Sequence, residues 1–318
     1  MGDINYRDKT DDNREVVMGG AHGTAAHAAV LPSAAPSHAE SSTFSSHASH
    51  ITHDDLSLPV LQTSGLRWLG IGVSGIVYAL DERTVAKIAP TYNNKYATNE
   101  SLQDLFTERS VYQRLGSHPR ICQHISSVQR GILLERFGES LRKHLQKLHE
   151  HGKTPSHNQA LKWSCQVAEG IAYLHQKSIV QGDIGCHNIL LKGDEVKICD
   201  FGGASIDGRP ATAGYECRSQ RCDGSCENPS IKSELFALGS TMYEIWTASR
   251  PYQNEPDDIV EENYKCRCFP DVGTLPVADI IEKCWHGTYN SADEVVADLT
   301  LLQTELAALL PGRSLRME

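Results

Sequence analysis

The sequence predicts an α+β protein in which a small strand-rich part precedes a larger helical one. Two observations carry this. Short alternating runs at Trp68 to Leu80 and Thr84 to Ala89, joined by Asp81-Glu82-Arg83, read as strands and a hairpin, and Gly131 to Phe137 as a further strand. Beyond Phe137 helical patterns dominate. No repeat of fixed period interrupts this order.

The chain has 318 residues, a net charge of -10, 40% hydrophobic residues and ten cysteines. That is enough to bury a sizeable core without disulfide staples. Residues 1–58 are dominated by Ala, Ser, His and Gly, with Tyr6 and Phe44 as their aromatics. Such a segment buries too little apolar surface to offset the entropy of ordering it, so a disordered tail is expected. Acidic residues outnumber basic ones by five in this tail, half of the chain's excess. Its six histidines (His22, His27, His38, His47, His50, His53) are irregularly spaced and read as no metal site. No window of ~18 apolar residues and no basic-then-apolar leader occurs. Tyr6 stands where an N-myristoylation signal wants Ser or Thr. The expectation is a soluble cytoplasmic or nuclear monomer, with no membrane and, given the acidic balance, no nucleic acid as partner.

The first helix is expected from about Asn99 to Leu115. Ser156-His157-Asn158-Gln159 and Ser291-Ala292-Asp293-Glu294 each match a capping box, in which two side chains satisfy free N–H groups of a helix start. Trp163, Val167, Ile171 and Leu174 then form one apolar face.

Four constellations carry chemistry. Gly70-Ile71-Gly72-Val73-Ser74-Gly75-Ile76-Val77 is a G-x-G-x-x-G-x-V run, where glycine lets the backbone approach phosphate closely. It continues as a strand, which disfavours a dinucleotide loop opening a helix. Lys87 lies in Val85-Ala86-Lys87-Ile88, on the face shared by Val85 and Ala89. Glu108 falls in the apolar stripe Leu105, Glu108, Val111, Tyr112, Leu115, so a buried carboxylate needs a cation, and Lys87 is the natural partner. Asp183, with Asn188 five residues on and Asp200-Phe201-Gly202 twelve later, suits metal-assisted phosphoryl transfer: one Asp for the nucleophile, and Asn188 and Asp200 as oxygen ligands to Mg2+.

In these motifs the sequence resembles the eukaryotic protein kinase superfamily, from about Leu66 to Leu302, and within it compact fungal kinase-like proteins. The resemblance implies a bilobed protein kinase-like fold, with a small antiparallel β-rich N-lobe at about 59–135 and a larger, mainly helical C-lobe at about 138–310. Residues 311–318 would be a C-terminal tail. It implies catalytic Asp183, Lys87 and Glu108, and an ATP site of Leu69, Gly70, Gly72, Gly75, Val77, Ala86, Lys87, Leu134, Glu135 and Leu190. Leu134 would stand at the back of the adenine pocket, and Asn188 and Asp200 would hold Mg2+. Ser233 to Ser240 resembles the start of the long helix under the catalytic loop, and Ile281 to Trp285 a late helix.

The departures are as informative. The usual H-R-D reads Gln181-Gly182-Asp183, which removes the cation that pairs with an activation-loop phosphate. Only about fifteen residues run from Asp200 to Tyr215, with Thr212 as the one threonine, so a constitutively competent loop is expected. The lysine two residues after the catalytic Asp is Gly185, which implies slow transfer, partly relieved by His187. The A-P-E triplet reads Cys217-Arg218-Ser219, and neither half of its usual ion pair is found. Glu234 stands where the long helix usually carries Asp and is expected to cap the catalytic-loop backbone. Cys217, Cys222 and Cys226, with Cys266 and Cys268, fit no common zinc spacing and read as free thiols, and Cys199 as an alkylatable pocket thiol.

Three functions compete: an ATP- and Mg2+-dependent protein kinase acting on Ser or Thr rather than Tyr, a nucleotide-binding pseudokinase scaffold, and a small-molecule phosphotransferase. The presence of Lys87, Glu108, Asp183, Asn188 and Asp200 favours the first. The protein substrate is not legible.

Overall fold

A computed structural model describes residues 56–308 apart from 73, 223 and 225–228. The tail expected over 1–58 therefore lies outside the described residues but for its last three positions, as do Val73, Cys226 and the expected C-terminal tail. The carbonyls of Leu56 and Pro59 each accept a hydrogen bond from Gln129.

The bilobed α+β fold is observed. Strands β1 (Trp68–Ile71), β2 (Ile76–Ala79), β3 (Thr84–Ile88), β4 (His124–Val128) and β5 (Gly131–Glu135) form an antiparallel sheet of order β1-β2-β3-β5-β4. Here β3 is central, and Val85 and Ala86 are buried in it. Val77 pairs with Lys87, and Val85 with Leu134. Edge strand β4 has no counterpart in the expectations. Its sequence, HISSV, is mostly polar and leaves Ile125 half exposed, so it carries no alternation to read.

Helix α1 (Lys95–Leu115) packs on this sheet and starts four residues before the expected position. Asn94 caps it by accepting from Tyr96 N at 2.8 Å, ahead of the first apolar repeat. The expected stripe Leu105, Glu108, Val111, Tyr112, Leu115 is buried in full. Ile198 ties the lobes together, since its N–H donates to Arg120 O and its carbonyl accepts from Cys122 N.

The second lobe is built on α2 (Leu141–Glu150), α3 (His157–Gln176), α4 (Ile231–Thr247), α5 (Asp257–Lys265), α6 (Ala278–Trp285) and α7 (Ala292–Ala308). Ser156 caps α3, with Gln159 N donating to its hydroxyl at 3.3 Å, but the expected capping box is only half formed, because Gln159 Nε2 donates to Asp194 Oδ1 at 3.2 Å. Trp163, Val167, Ile171 and Leu174 form the buried face of α3. The buried indoles of Trp246 and Trp285 donate to Ser164 and Ser240 at 3.1 and 3.0 Å, so neither polar atom is stranded. Small sheets β6 (Glu139–Ser140), β8 (Ile189–Lys192), β9 (Glu195–Ile198) and β7 (Ile179–Val180), β10 (Ser205–Ile206) hold the two loops that carry Asp183 and Asp200.

Candidate active site

Strand β3 presents Lys87 to helix α1, where its Nζ meets Glu108 Oε2 at 2.7 Å and Asp200 Oδ1 at 2.9 Å. Glu108 is fully buried, and the ammonium is the cation that makes this tolerable. Burial alone would lower the Lys87 pKa, but Asp200 and Glu108 outweigh it and hold the side chain charged. Asp200 is likewise kept below its ordinary value, burial being overcome by Lys87. Its backbone adopts a φ of +62°, a region that non-glycine residues seldom occupy. The next residue shows what holds it there. Phe201 is fully buried edge-on to Tyr112, and its N–H points to Glu108 Oε1 at 3.5 Å.

The glycine run closes over this cluster. Gly72 N donates to Gly75 O at 2.8 Å, and Ser74 Oγ reaches Asp200 Oδ1 at 3.5 Å. A Cβ on Gly75 would stand 2.8 Å from Lys87 Cγ, so only glycine lets the loop lie on the lysine. Leu69, Val77 and Leu190 are partly buried hydrophobics on the core, and Leu134 is buried on the face of the sheet that carries Lys87. Ala86 requires a correction. Strand alternation turns it to the opposite face from Lys87, and Val85 occupies the position beside the lysine. Glu135 follows Leu134, its carboxylate held by Lys197 at 2.7 Å and Lys192 at 3.3 Å.

In the catalytic-type loop, Asn188 Nδ2 donates to Asp183 O at 2.9 Å and Oδ2 at 3.2 Å. His187 Nε2 lies 3.2 Å from the same Oδ2. Glu234, at the start of α4, accepts from Gly182 N at 2.9 Å and holds His175 Nε2 at 2.5 Å, which is the expected cap. Gly182 sits at φ +80°, so an arginine there would be strained. Gln181 Nε2 donates to the carbonyls of Cys199 and Asp200, a role that the reading of the departures missed.

Further residues escaped the sequence. Asp104, one helical turn before Glu108, accepts from Thr212 Oγ1 at 3.4 Å, and its carboxyl is pushed up to about 6, first by burial. The i, i+4 spacing was the available signal. Glu216 and Glu244 clamp Arg142. The missing A-P-E ion pair is replaced by one of opposite polarity: Arg218 Nη1 meets Asp257 Oδ1 at 2.5 Å, and the same side chain donates to the carbonyls of Tyr252 and Glu255. The expected reactivity of Cys199 is not supported. Burial drives its thiol pKa well up, and reactivity follows the thiolate. Cys217 and Cys222 are half-buried, and Cys266 and Cys268 exposed.

The donor set suits a hard divalent cation and a polyphosphate. Asp200 is an ionised carboxylate, Asn188 adds an amide, and the glycine cradle that a Cβ would fill lies above Lys87. Comparison with known proteins agrees. A model of the protein kinase domain matches residues 64–295, most of the chain. The chain belongs to the protein kinase family. It is similar to a probable serine/threonine-protein kinase of Arabidopsis thaliana, SIS8 (26% identical, 74% of this chain, 24% of the relative). It is also similar to the MAP kinase kinase skh1/pek1 of Schizosaccharomyces pombe (29% identical, 64% of this chain, 60% of the relative). A third similarity is to the epidermal growth factor receptor of Drosophila melanogaster (30% identical, 40% of this chain, 10% of the relative). The matches thus span less than two thirds of these relatives' own length. Among the described residues of this kinase, no helix is long and apolar enough to cross a membrane.

Proposed function

We propose that this kinase domain is catalytically active and transfers the γ-phosphoryl group of ATP to a Ser or Thr hydroxyl of a protein. The observation that carries the reading is the Lys87, Glu108 and Asp200 cluster, closed at 2.7 and 2.9 Å with Phe201 packed under helix α1. In kinases the lysine–glutamate pair and the metal-binding aspartate must be in place together.

MgATP supplies the transferred group and the charge that neutralises the leaving phosphates. Leu69, Val77, Val85, Leu134 and Leu190 would line the adenine site, with Glu135 beside them. The Gly70 to Gly75 turn would lie over the phosphates, and Lys87 would place its ammonium on them. Asn188 and Asp200 would hold the metal. Asp183 accepts the proton of the acceptor hydroxyl as its oxygen bonds to phosphorus and the bond to the leaving oxygen breaks. The residues act by position and charge, with no covalent intermediate on the protein.

Relatives named as serine/threonine kinases and as receptor tyrosine kinases both occur. The acceptor class rests on the former, and phosphoamino-acid analysis of the product decides it. Activity is tested with purified protein, labelled ATP, Mg2+ and a generic protein substrate beside Asp183→Ala. Transfer lost in the variant supports the reading. No transfer above the variant, with MgATP still raising the melting temperature, selects the nucleotide-binding scaffold instead.

A further inference from the structure

We propose that His187 is a positioning residue for the Asp183 carboxylate, lying in the space left by Gly185 and held there by Glu216, which Arg142 clamps to helix α4. Four observations converge. A Cβ on Gly185 would stand 2.7 Å from both Cε1 and Nδ1 of His187 and 3.7 Å from Arg142 Nη2, so the ring covers this α-carbon too closely for any side chain. The ring lies between two carboxylates: Nε2 is 3.2 Å from Asp183 Oδ2, and Nδ1 is 3.6 Å from Glu216 Oε2. The other Glu216 oxygen, Oε1, is taken by Arg142 Nη1 at 2.7 Å. Arg142 in turn makes a bidentate pair with Glu244, Nε and Nη2 lying 2.8 and 2.9 Å from its two oxygens.

These side chains are largely shielded together: Glu244 is buried and Arg142, Glu216 and His187 are part-buried, at 6%, 13%, 20% and 12% exposed. The shielded chain of Glu244–Arg142–Glu216 ion pairs is screened little by salt and sets the geometry of the carboxylate beside the His187 ring. The chain runs from α4 through α2 to the segment after the activation loop, and ends on the catalytic aspartate. His187 and Asn188 approach the same oxygen of Asp183 from this loop, each at 3.2 Å. Arg142 and Glu216 touch no reacting atom and act through His187.

This inference rests on the reading of the chain as an active kinase, and it inverts a simple expectation. Introducing the family's lysine as Gly185→Lys should not restore rate. It should displace the ring and misplace Asp183.

The test combines steady-state kinetics with mass-spectrometric mapping of His187 acylation by diethyl pyrocarbonate. The wild type should label slowly at His187. Gly185→Lys, Gly185→Ala and Glu216→Gln should each raise that labelling about tenfold and lower kcat by ~10- to 100-fold, with KM for ATP and the melting shift in MgATP retained. Gly185→Lys combined with His187→Ala should transfer faster than Gly185→Lys alone, because the clash is gone. Gly185→Ala keeps the test open if the lysine variant fails to fold. A Gly185→Lys protein with raised kcat and unchanged labelling overturns the proposal, as does equal labelling of wild type and Gly185→Ala. A wild type with no transfer but a protected ring overturns the activity reading while supporting the placement.

Discussion

Gln181 donates its side-chain amide to the carbonyls of Cys199 and Asp200, at 2.8 and 3.1 Å, and so fastens the loop that carries Asp183 to the turn that carries Asp200. Gln181 is 1% exposed, and its amide satisfies two carbonyls at a place where the Asp200 backbone is strained. Gln181→Leu should leave those carbonyls without this donor and cost about 1–3 kcal/mol of stability. It should also raise the Mg2+ concentration needed for half-maximal transfer, as the turn relaxes. Denaturant unfolding and a Mg2+ titration check both, and an unchanged midpoint and Mg2+ requirement would show that the bonds carry nothing.

Thr212 is the threonine at which phosphorylation would be sought, and it faces a carboxyl where a phosphate would need a cation. Its Oγ1 donates to Asp104, its N–H and that of Ala213 go to Gly203 O, and Gly182 replaces the arginine. Thr212→Ala should therefore keep transfer, losing one exposed hydrogen bond worth ~1 kcal/mol or less. Thr212→Glu should lower kcat, because a second negative charge is set against Asp104. Kinetics of the two variants decide this, and activity gained by Thr212→Glu would contradict it.

The part-buried Glu216 makes stability depend on acid pH. Burial alone would raise its pKa, yet His187 and Arg142 pull it down to about 2, below its ordinary 4.5. A depressed carboxyl contributes stability that is fully present above its unfolded pKa and is lost as pH falls through the folded one, here from about 4.5 toward about 2. The shift corresponds to roughly 3 kcal/mol as an order of magnitude. Glu216→Gln should lower stability at pH 7 and flatten its fall in that window. Unfolding free energies between pH 2 and 7 check it, and parallel curves for wild type and variant would refute the assignment.

Glu234 bridges Gly182 N and His175 with no exposure to solvent. Glu234→Ala strips the loop of its anchor and should destabilise by about 3–5 kcal/mol, the usual consequence of removing one partner of a buried pair. Calorimetry reads this directly.

Much of this geometry was legible beforehand, for reasons that can be named. Glu108 betrayed itself as a charge in an apolar helical stripe, and Lys87 as the natural strand cation to answer it. Ser156 announced helix α3 because a cap is a local, sequence-near event. What stayed hidden depends on distant chain meeting in space. Arg142, Glu216 and Glu244 are far apart in sequence, and none looks unusual until the fold buries them together. Arg218 similarly reads as a lost A-P-E proline until Asp257 is found beside it. Strand β4 was missed because a polar edge strand has no alternation, and Ala86 entered the expected ATP site through the family resemblance although the alternation already set Lys87 with Val85.

The central claim is that the Lys87, Glu108 and Asp200 cluster and Asp183 together transfer phosphate. It is tested most directly by measuring labelled phosphate transfer from MgATP, with nucleotide-induced melting shifts recorded on the same samples, for wild type, Lys87→Ala and Asp183→Ala. The account predicts transfer by the wild type and a loss of ~100-fold or more in both variants. The melting shift should survive in Asp183→Ala and shrink in Lys87→Ala. Transfer by Asp183→Ala at the wild-type rate, or none by the wild type, would contradict it.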